Sequence, residues 1–133
     1  MIVALIALVC GLVLPPVKRG FDRIQTRAAA RETMTAFFTA RAAAIALGRR
    51  TAVMLDAGRA RVVVISGADT LLRRDVGAAR GVRMTASRDS MSFFPDGLGV
   101  GGANLSMIFV RGAAADTVFA SREGRVKLGA KAR

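Results

Sequence analysis

The chain has 133 residues, 21 of them lysine or arginine against 9 aspartate or glutamate, and its formal charge is +12. That length suits a single small domain, and the charge implies anionic partners or a lipid surface while saying nothing about fold. Histidine, tyrosine and tryptophan are absent, which removes the commonest general acid/base and metal ligand, so no enzyme, metal, cofactor or small-molecule substrate is expected.

Met1–Leu14 (MIVALIALVCGLVL) is uncharged and is followed by Pro15-Pro16. As a helix it spans about 21 Å, short of the roughly 30 Å hydrocarbon core of a bilayer. It lacks a basic n-region, and Pro15-Pro16-Val17-Lys18 is a poor cleavage site for a signal peptide. Two readings remain beside that one: a helix pinned in a soluble core, and an apolar helix whose upstream part is missing. Ile2, Val3, Leu5, Ile6, Leu8, Val9, Leu12, Val13, Leu14 and Pro15 are the candidate membrane or assembly residues. Cys10 is the only cysteine. It permits no intrachain disulfide and reads as a small buried apolar residue.

From Val17 to about Leu47 the pattern becomes that of an amphipathic helix. Val17, Phe21, Ile24, Ala28, Thr35, Phe38, Ala42 and Ile45 step by threes and fours, and a partial second row (Met34, Phe37, Ala44, Leu47) widens the C-terminal half. Phe21, Ile24, Phe37, Phe38, Ile45 and Leu47 are therefore the candidate helix–sheet packing residues, with the sheet expected on the helix's C-terminal half. Arg19, Arg23, Arg27 and Arg31 recur at i+4 on another side, where like charges repel by a few tenths of a kcal/mol per pair. A solvated face is the plainest meaning of such a row; lipid headgroups or an acidic neighbour are the alternatives. Gly48 is a suitable stop, with Arg49 and Arg50 at the negative end of the dipole.

Beyond Gly48 the period falls to two. Thr51–Leu55 and Arg61–Ile65 flank Asp56-Ala57-Gly58-Arg59 as a hairpin. Val82–Ala86, Met91–Phe94, Asn104–Val110, Thr117–Ala120 and Arg125–Leu128 are further short strands, and Pro95-Asp96-Gly97 and Arg122-Glu123-Gly124 are clear turns. The fold class is α+β: one long helix, apolar and then amphipathic, packed on a largely antiparallel β-meander. The divisions expected are 1–16 (membrane or assembly part of the helix), 17–48 (its amphipathic continuation) and 49–133 (a β-rich head).

The apolar segment ending in proline, the Ala/Arg-rich continuation RIQTRAAARETMTAFFTARAAAIALGRRTAVML, and the late turn Phe93, Phe94, Pro95, Asp96, Gly97 trailed by Gly101 and Gly102 together resemble the type IV pilin-like proteins, and more narrowly the GspH/FimT-type minor pseudopilins and minor pilins. The resemblance covers essentially the whole chain and ends in SREGRVKL. It implies a pilin-like fold and a minor pseudopilin of the type II secretion system, with the FimT-type minor pilin as the alternative. The implied partners are other pseudopilins through the helix and, before assembly, the inner membrane. A single pass with the C-terminal domain in the periplasm follows from the family, whereas Lys18-Arg19 alone would predict the cytoplasmic side. The family's basic leader, its glycine before an aromatic residue and its early glutamate have no counterpart here. The start is accordingly expected to lie inside a longer reading frame or the sequence to be a fragment.

No arrangement supports catalysis. Six serines (Ser66, Ser87, Ser90, Ser92, Ser106, Ser121) have no histidine to act as base. The acids are scattered, mostly in turns where capping explains them. Gly97-Leu98-Gly99-Val100-Gly101-Gly102 lacks the helix N-terminus and lysine of a phosphate loop. The basic end, Arg122, Arg125, Lys127, Lys131 and Arg133, is a candidate anion or DNA contact, a role linked to some FimT-type minor pilins. A solvated run is its commoner meaning, and Phe119, expected in the core, would not be free for base stacking.

Overall fold

A computed structural model describes residues 2–100 and 104–129, with the side chains of 13–16 outside that description. Helix α1 (Ile2–Leu47) is 46 residues long and runs without a break in its assignment through positions 15 and 16. Alanine is the best helix former and fills much of its second half. Gly48 ends it with a φ of 63°, the left-handed conformation that closes helices at least cost in glycine. The N-terminal part of α1 is long and apolar enough to cross a membrane. Ile2 to Leu12, Cys10 among them, stand clear of the rest of the protein.

The face of α1 turned to the domain consists of Asp22, Thr26, Ala29, Ala30, Thr33, Ala36, Phe37, Ala40 and Ala44, all buried. Their steps of three and four make one stripe, but it is built of small side chains, which lets the helix backbone lie close on the strands. Phe37 is its only large member; it meets Phe93 edge-on, with ring centroids 6.4 Å apart at 81°. Buried Thr33 gives its hydroxyl hydrogen to the Ala29 carbonyl at 2.9 Å, leaving no polar penalty.

This corrects the expected packing face. Of the six expected residues only Phe37 is buried. Phe21, Ile24, Phe38, Ile45 and Leu47 are each about half exposed or more. At 100° per residue Ile24, Phe38 and Ala42 fall on the side opposite Ala29, Thr33 and Ala40. The large apolar row is therefore real, but it faces away from the protein's own sheets. The contact also begins earlier than expected, at Asp22, so the N-terminal part of the amphipathic segment is tied down as well.

After the helix come β1 (Thr51–Asp56), β2 (Arg61–Ser66), β3 (Asp69–Asp75), the short α2 (Val76–Arg80), β4 (Arg83–Ala86), β5 (Ser90–Phe93), β6 (Gly99–Val100), β7 (Leu105–Arg111), β8 (Ala114–Ala120) and β9 (Val126–Leu128). Every pairing between described strands is antiparallel. They do not form one meander, however. One sheet has the order β3-β2-β1-β5-β6 and the other β4-β7-β8-β9. The chain changes sheet three times, from β3 to β4, from β4 to β5, where β5 returns to pair with β1, and from β6 to β7.

Alternation assigns the inner faces. Val53 and Leu55 of β1, Val62 and Val64 of β2, Leu105, Met107 and Phe109 of β7, and Val118 and Ala120 of β8 point inward and are buried with Phe37. The β1–β2 hairpin pairs Thr51 with Ser66 through to Asp56 with Arg61, as expected. Strand β3 was not expected, because DTLLRRD is an edge strand exposed along most of its length and its charges mask the alternation. Five-residue α2 and two-residue β6 are likewise too short to show a period.

Candidate assembly face and arginine cleft

Three surfaces take shape from this architecture. The first is the outward side of α1. Val17, Phe21, Ile24, Phe38 and Ile45 lie 48–64% exposed, on the same helix as the bare run Ile2 to Leu12. Phe21 has a partner of its own: the Arg111 guanidinium lies 4.9 Å from its ring centroid. Side chains of this size on a solvated face cost solubility unless another surface covers them.

The second surface is a cleft of about 780 Å³ between α1, the end of α2 and the β7–β8 hairpin, lined by Arg19, Arg23, Arg27, Arg31 and Arg80 along with Asp22, Glu32 and Asp116. Its floor is a set of ion pairs that latch the helix to the domain. Asp22, with 8% of its side chain exposed, accepts from Arg111 Nε at 2.8 Å. Arg111 Nη1 also donates to the Arg80 carbonyl. Arg80 in turn reaches Glu32 at 2.6 Å and Gln25 Oε1 at 3.2 Å. Asp116 accepts from the buried Thr26 hydroxyl at 2.8 Å and pairs with Arg27 at 3.4 Å.

Asp116 therefore does not serve as a turn cap, which corrects the sequence expectation for it. Asp56 and Asp96 do cap, accepting from the Arg59 and Leu98 amides at 3.2 and 2.9 Å. Elsewhere, Arg61 donates to Asp75 and Arg73 stands 3.4 Å from it. The Arg61 hydrogen bond holds the Asp75 carboxyl below the usual carboxylate range.

The third region joins the two late turns. The Phe94 amide donates to the Leu98 carbonyl at 2.8 Å around Pro95-Asp96-Gly97, and the Gly99 amide donates to the Arg122 carbonyl at 2.6 Å. Arg41 of α1 donates from Nε to the Gly97 carbonyl at 3.1 Å. Gly124, at φ 86°, packs so close that an added Cβ would stand 2.8 Å from that same carbonyl oxygen. Arg41, unnoticed in the sequence because it lies in an Ala-rich run, thus pins both turns to the helix. Phe93 is buried, Phe94 is exposed beneath the Arg50 guanidinium 6.0 Å away, and Gly101 and Gly102 lie outside the described residues.

A family model described as type II transport protein GspH matches residues 29–126. The chain belongs to the GspH family. GspH proteins are structural pilin-like components, so membership implies interaction with other pseudopilins in a pseudopilus. Among solved structures, the type IV minor pilin FimU of Pseudomonas aeruginosa superposes with a TM-score of 0.69 at 16% identity, covering 81% of this chain and 90% of FimU. The minor pseudopilin EpsH from the type 2 secretion system of Vibrio cholerae gives 0.62 at 11% identity, covering 80% and 97%. Both likenesses establish the long-helix-on-antiparallel-sheets fold of this GspH chain. No curated protein matches the sequence significantly.

Arg122, Arg125 and Lys127 line a second cleft, of about 520 Å³, with Asn104, Phe119 and Glu123, while Lys131 and Arg133 lie outside the described residues. Phe119 is 39% exposed and so does not sit in the core as expected. With Val118 and Ala120 facing inward, alternation turns Phe119 outward, directly across from Lys127 in the register.

Proposed function

We propose that this chain is a minor pseudopilin of the type II secretion pseudopilus, an assembly subunit that serves protein secretion across the outer membrane. In this reading residues 1–16 are the membrane-embedded and assembly part of the helix, 17–48 its amphipathic continuation, and 49–133 the exposed β-rich head. The protein is held in the bacterial inner membrane by one pass, with its head in the periplasm, until its helix exchanges lipid for neighbouring helices. The observation that carries the reading is the two-sidedness of α1. Its small-residue stripe is consumed by the protein's own sheets, while Val17, Ile24, Phe38 and Ile45 remain 49–64% exposed on other sides. Covering such half-exposed side chains is worth about 1 kcal/mol each, and the protein's own fold leaves that energy unused.

The test is the double substitution Ile24→Arg with Phe38→Arg, followed by recovery of pseudopilin complexes from membranes and by a secretion assay. The head should stay folded while co-purification and secretion are lost. Unchanged assembly would sink the reading.

A second reading, a FimT-type minor pilin that binds DNA through its basic end, is favoured by the position of Phe119. An exposed ring beside Arg122, Arg125 and Lys127 joins stacking to phosphate attraction, the usual pairing in single-strand binders. Gel shifts on single-stranded and duplex DNA at two salt concentrations decide it. Salt-sensitive binding at micromolar protein that is lost in Phe119→Ala supports it, and no binding removes it.

A further inference from the structure

We propose that the arginine cleft between α1 and the β7–β8 hairpin holds the phosphate of an anionic phospholipid headgroup. The inference rests on the membrane-anchored reading above and adds a ligand to it. The first reason is charge. Each acid lining the cleft is already engaged: Asp22 by Arg111, Glu32 by Arg80 and Asp116 by Arg27. Arg19, Arg23 and Arg31 line the same cleft, and among the described residues none of them has an acidic partner. Arg80 lines it too, and its Nε is buried without an acceptor. A row of like charges at i+4 is unfavourable by itself, so its cations gain from an external anion. A phosphodiester offers two oxygens that share one negative charge to guanidinium forks, the match that arginine makes best.

The second reason is position, which selects a lipid over other anions. The apolar run before the prolines ends at Leu14. On a helix rising 1.5 Å per residue, Arg19 stands about 8 Å and Arg23 about 14 Å beyond that point. The headgroup layer of a bilayer is roughly 5–8 Å thick on each side, and arginine side chains reach back along a helix to keep their heads in it. The mouth of the cleft therefore opens at headgroup depth, and the acyl chains of the same lipid would lie along the bare apolar side chains Ile6, Val9 and Leu12. Deeper in, Arg27, Arg31 and Arg80 supply the field that favours a net negative lipid over a zwitterionic one.

The full chain in neutral detergent micelles provides the test, titrated with short-chain phosphatidylglycerol, short-chain phosphatidylcholine or inorganic phosphate and followed by the arginine Nε–H resonances. Phosphatidylglycerol should bind saturably and move the signals of Arg19, Arg23 and Arg80. Each cation near an anionic lipid surface contributes about fivefold, so Arg19→Gln with Arg23→Gln should weaken binding about 25-fold. Arg83→Gln with Arg88→Gln, on and just after β4, should leave it unchanged.

Equal affinity for phosphatidylcholine overturns the proposal, as does inorganic phosphate binding as tightly as the lipid. Equal losses in the two double variants would reduce the effect to general charge and overturn the site. Failure of the anchoring reading looks different: the chain then stays in solution beside vesicles of either lipid, whereas failure of the cleft alone leaves it inserted but without preference for phosphatidylglycerol.

Discussion

Phe37 and Phe38 are adjacent in sequence and identical in chemistry, yet they lie on different sides of α1, which makes them a direct test of its two-sidedness. Phe37 is fully buried and edge-on to Phe93. Truncating a buried phenylalanine to alanine costs about 3–5 kcal/mol through lost transfer energy and the cavity left behind, and the aromatic pair contributes about 0.5–1.5 kcal/mol. Because these terms overlap, Phe37→Ala should destabilise the domain by about 4 kcal/mol, a large fraction of the 5–15 kcal/mol that holds a typical domain together. Phe38 is 49% exposed, so Phe38→Ala should cost about 1 kcal/mol or less. Denaturant titration of the full chain in neutral detergent, followed by circular dichroism, measures both. In cells the order should reverse for a folded protein: Phe38→Ala should accumulate normally yet join pseudopilin complexes poorly. Comparable destabilisation by the two substitutions would refute the assignment of faces, and normal assembly of Phe38→Ala would refute the use assigned to the outer one.

Asp22→Asn should cost about 2–3 kcal/mol, because it leaves Arg111 without its carboxylate in a mostly buried site; thermal melts compared with those of Arg111→Lys measure it. Gly124→Ala should cost about 1–3 kcal/mol, since alanine must adopt a φ of 86° and its Cβ must displace the Gly97 carbonyl; loss of protease resistance around both late turns would report it. The folded-state pKa of Asp75 is depressed by Arg61, so its contribution is present above the unfolded carboxylate pKa and disappears as pH falls through the lower folded value. The stability difference between the wild type and Asp75→Asn should therefore be constant near neutral pH and shrink below about pH 4. A difference that grows on acidification would contradict the Arg61 assignment.

Much of this architecture was legible in the residues. The apolar run to Leu14, the helical spacing to Leu47, the stop at Gly48 and the two Gly-containing turns follow from local rules, because propensity, period and turn chemistry act over a few neighbouring positions. The family turn Phe93–Gly97 and the basic end could be named for the same reason. What local rules conceal is the partner of each face. Hydropathy gives weight to large apolar side chains, so the row Phe21, Ile24, Phe38 and Ile45 read as the core face. Alanine and threonine, which let a helix lie close on a sheet, carry little signal, and the true core face passed unmarked until the strands were seen against it.

The same limit governs the cleft and the sheets. Asp22 and Arg111 are 89 positions apart and Glu32 and Arg80 are 48 apart, and no local pattern says that they meet. Strand β5 joins β1 while β4 joins β7, a division set by which pairings bury the most apolar surface. By itself the sequence determined that this protein is a basic α+β chain built on one long two-part helix with antiparallel strands. Only the tertiary structure decided which side of that helix the protein keeps for itself and which it leaves for others, because burial is settled by long-range contacts.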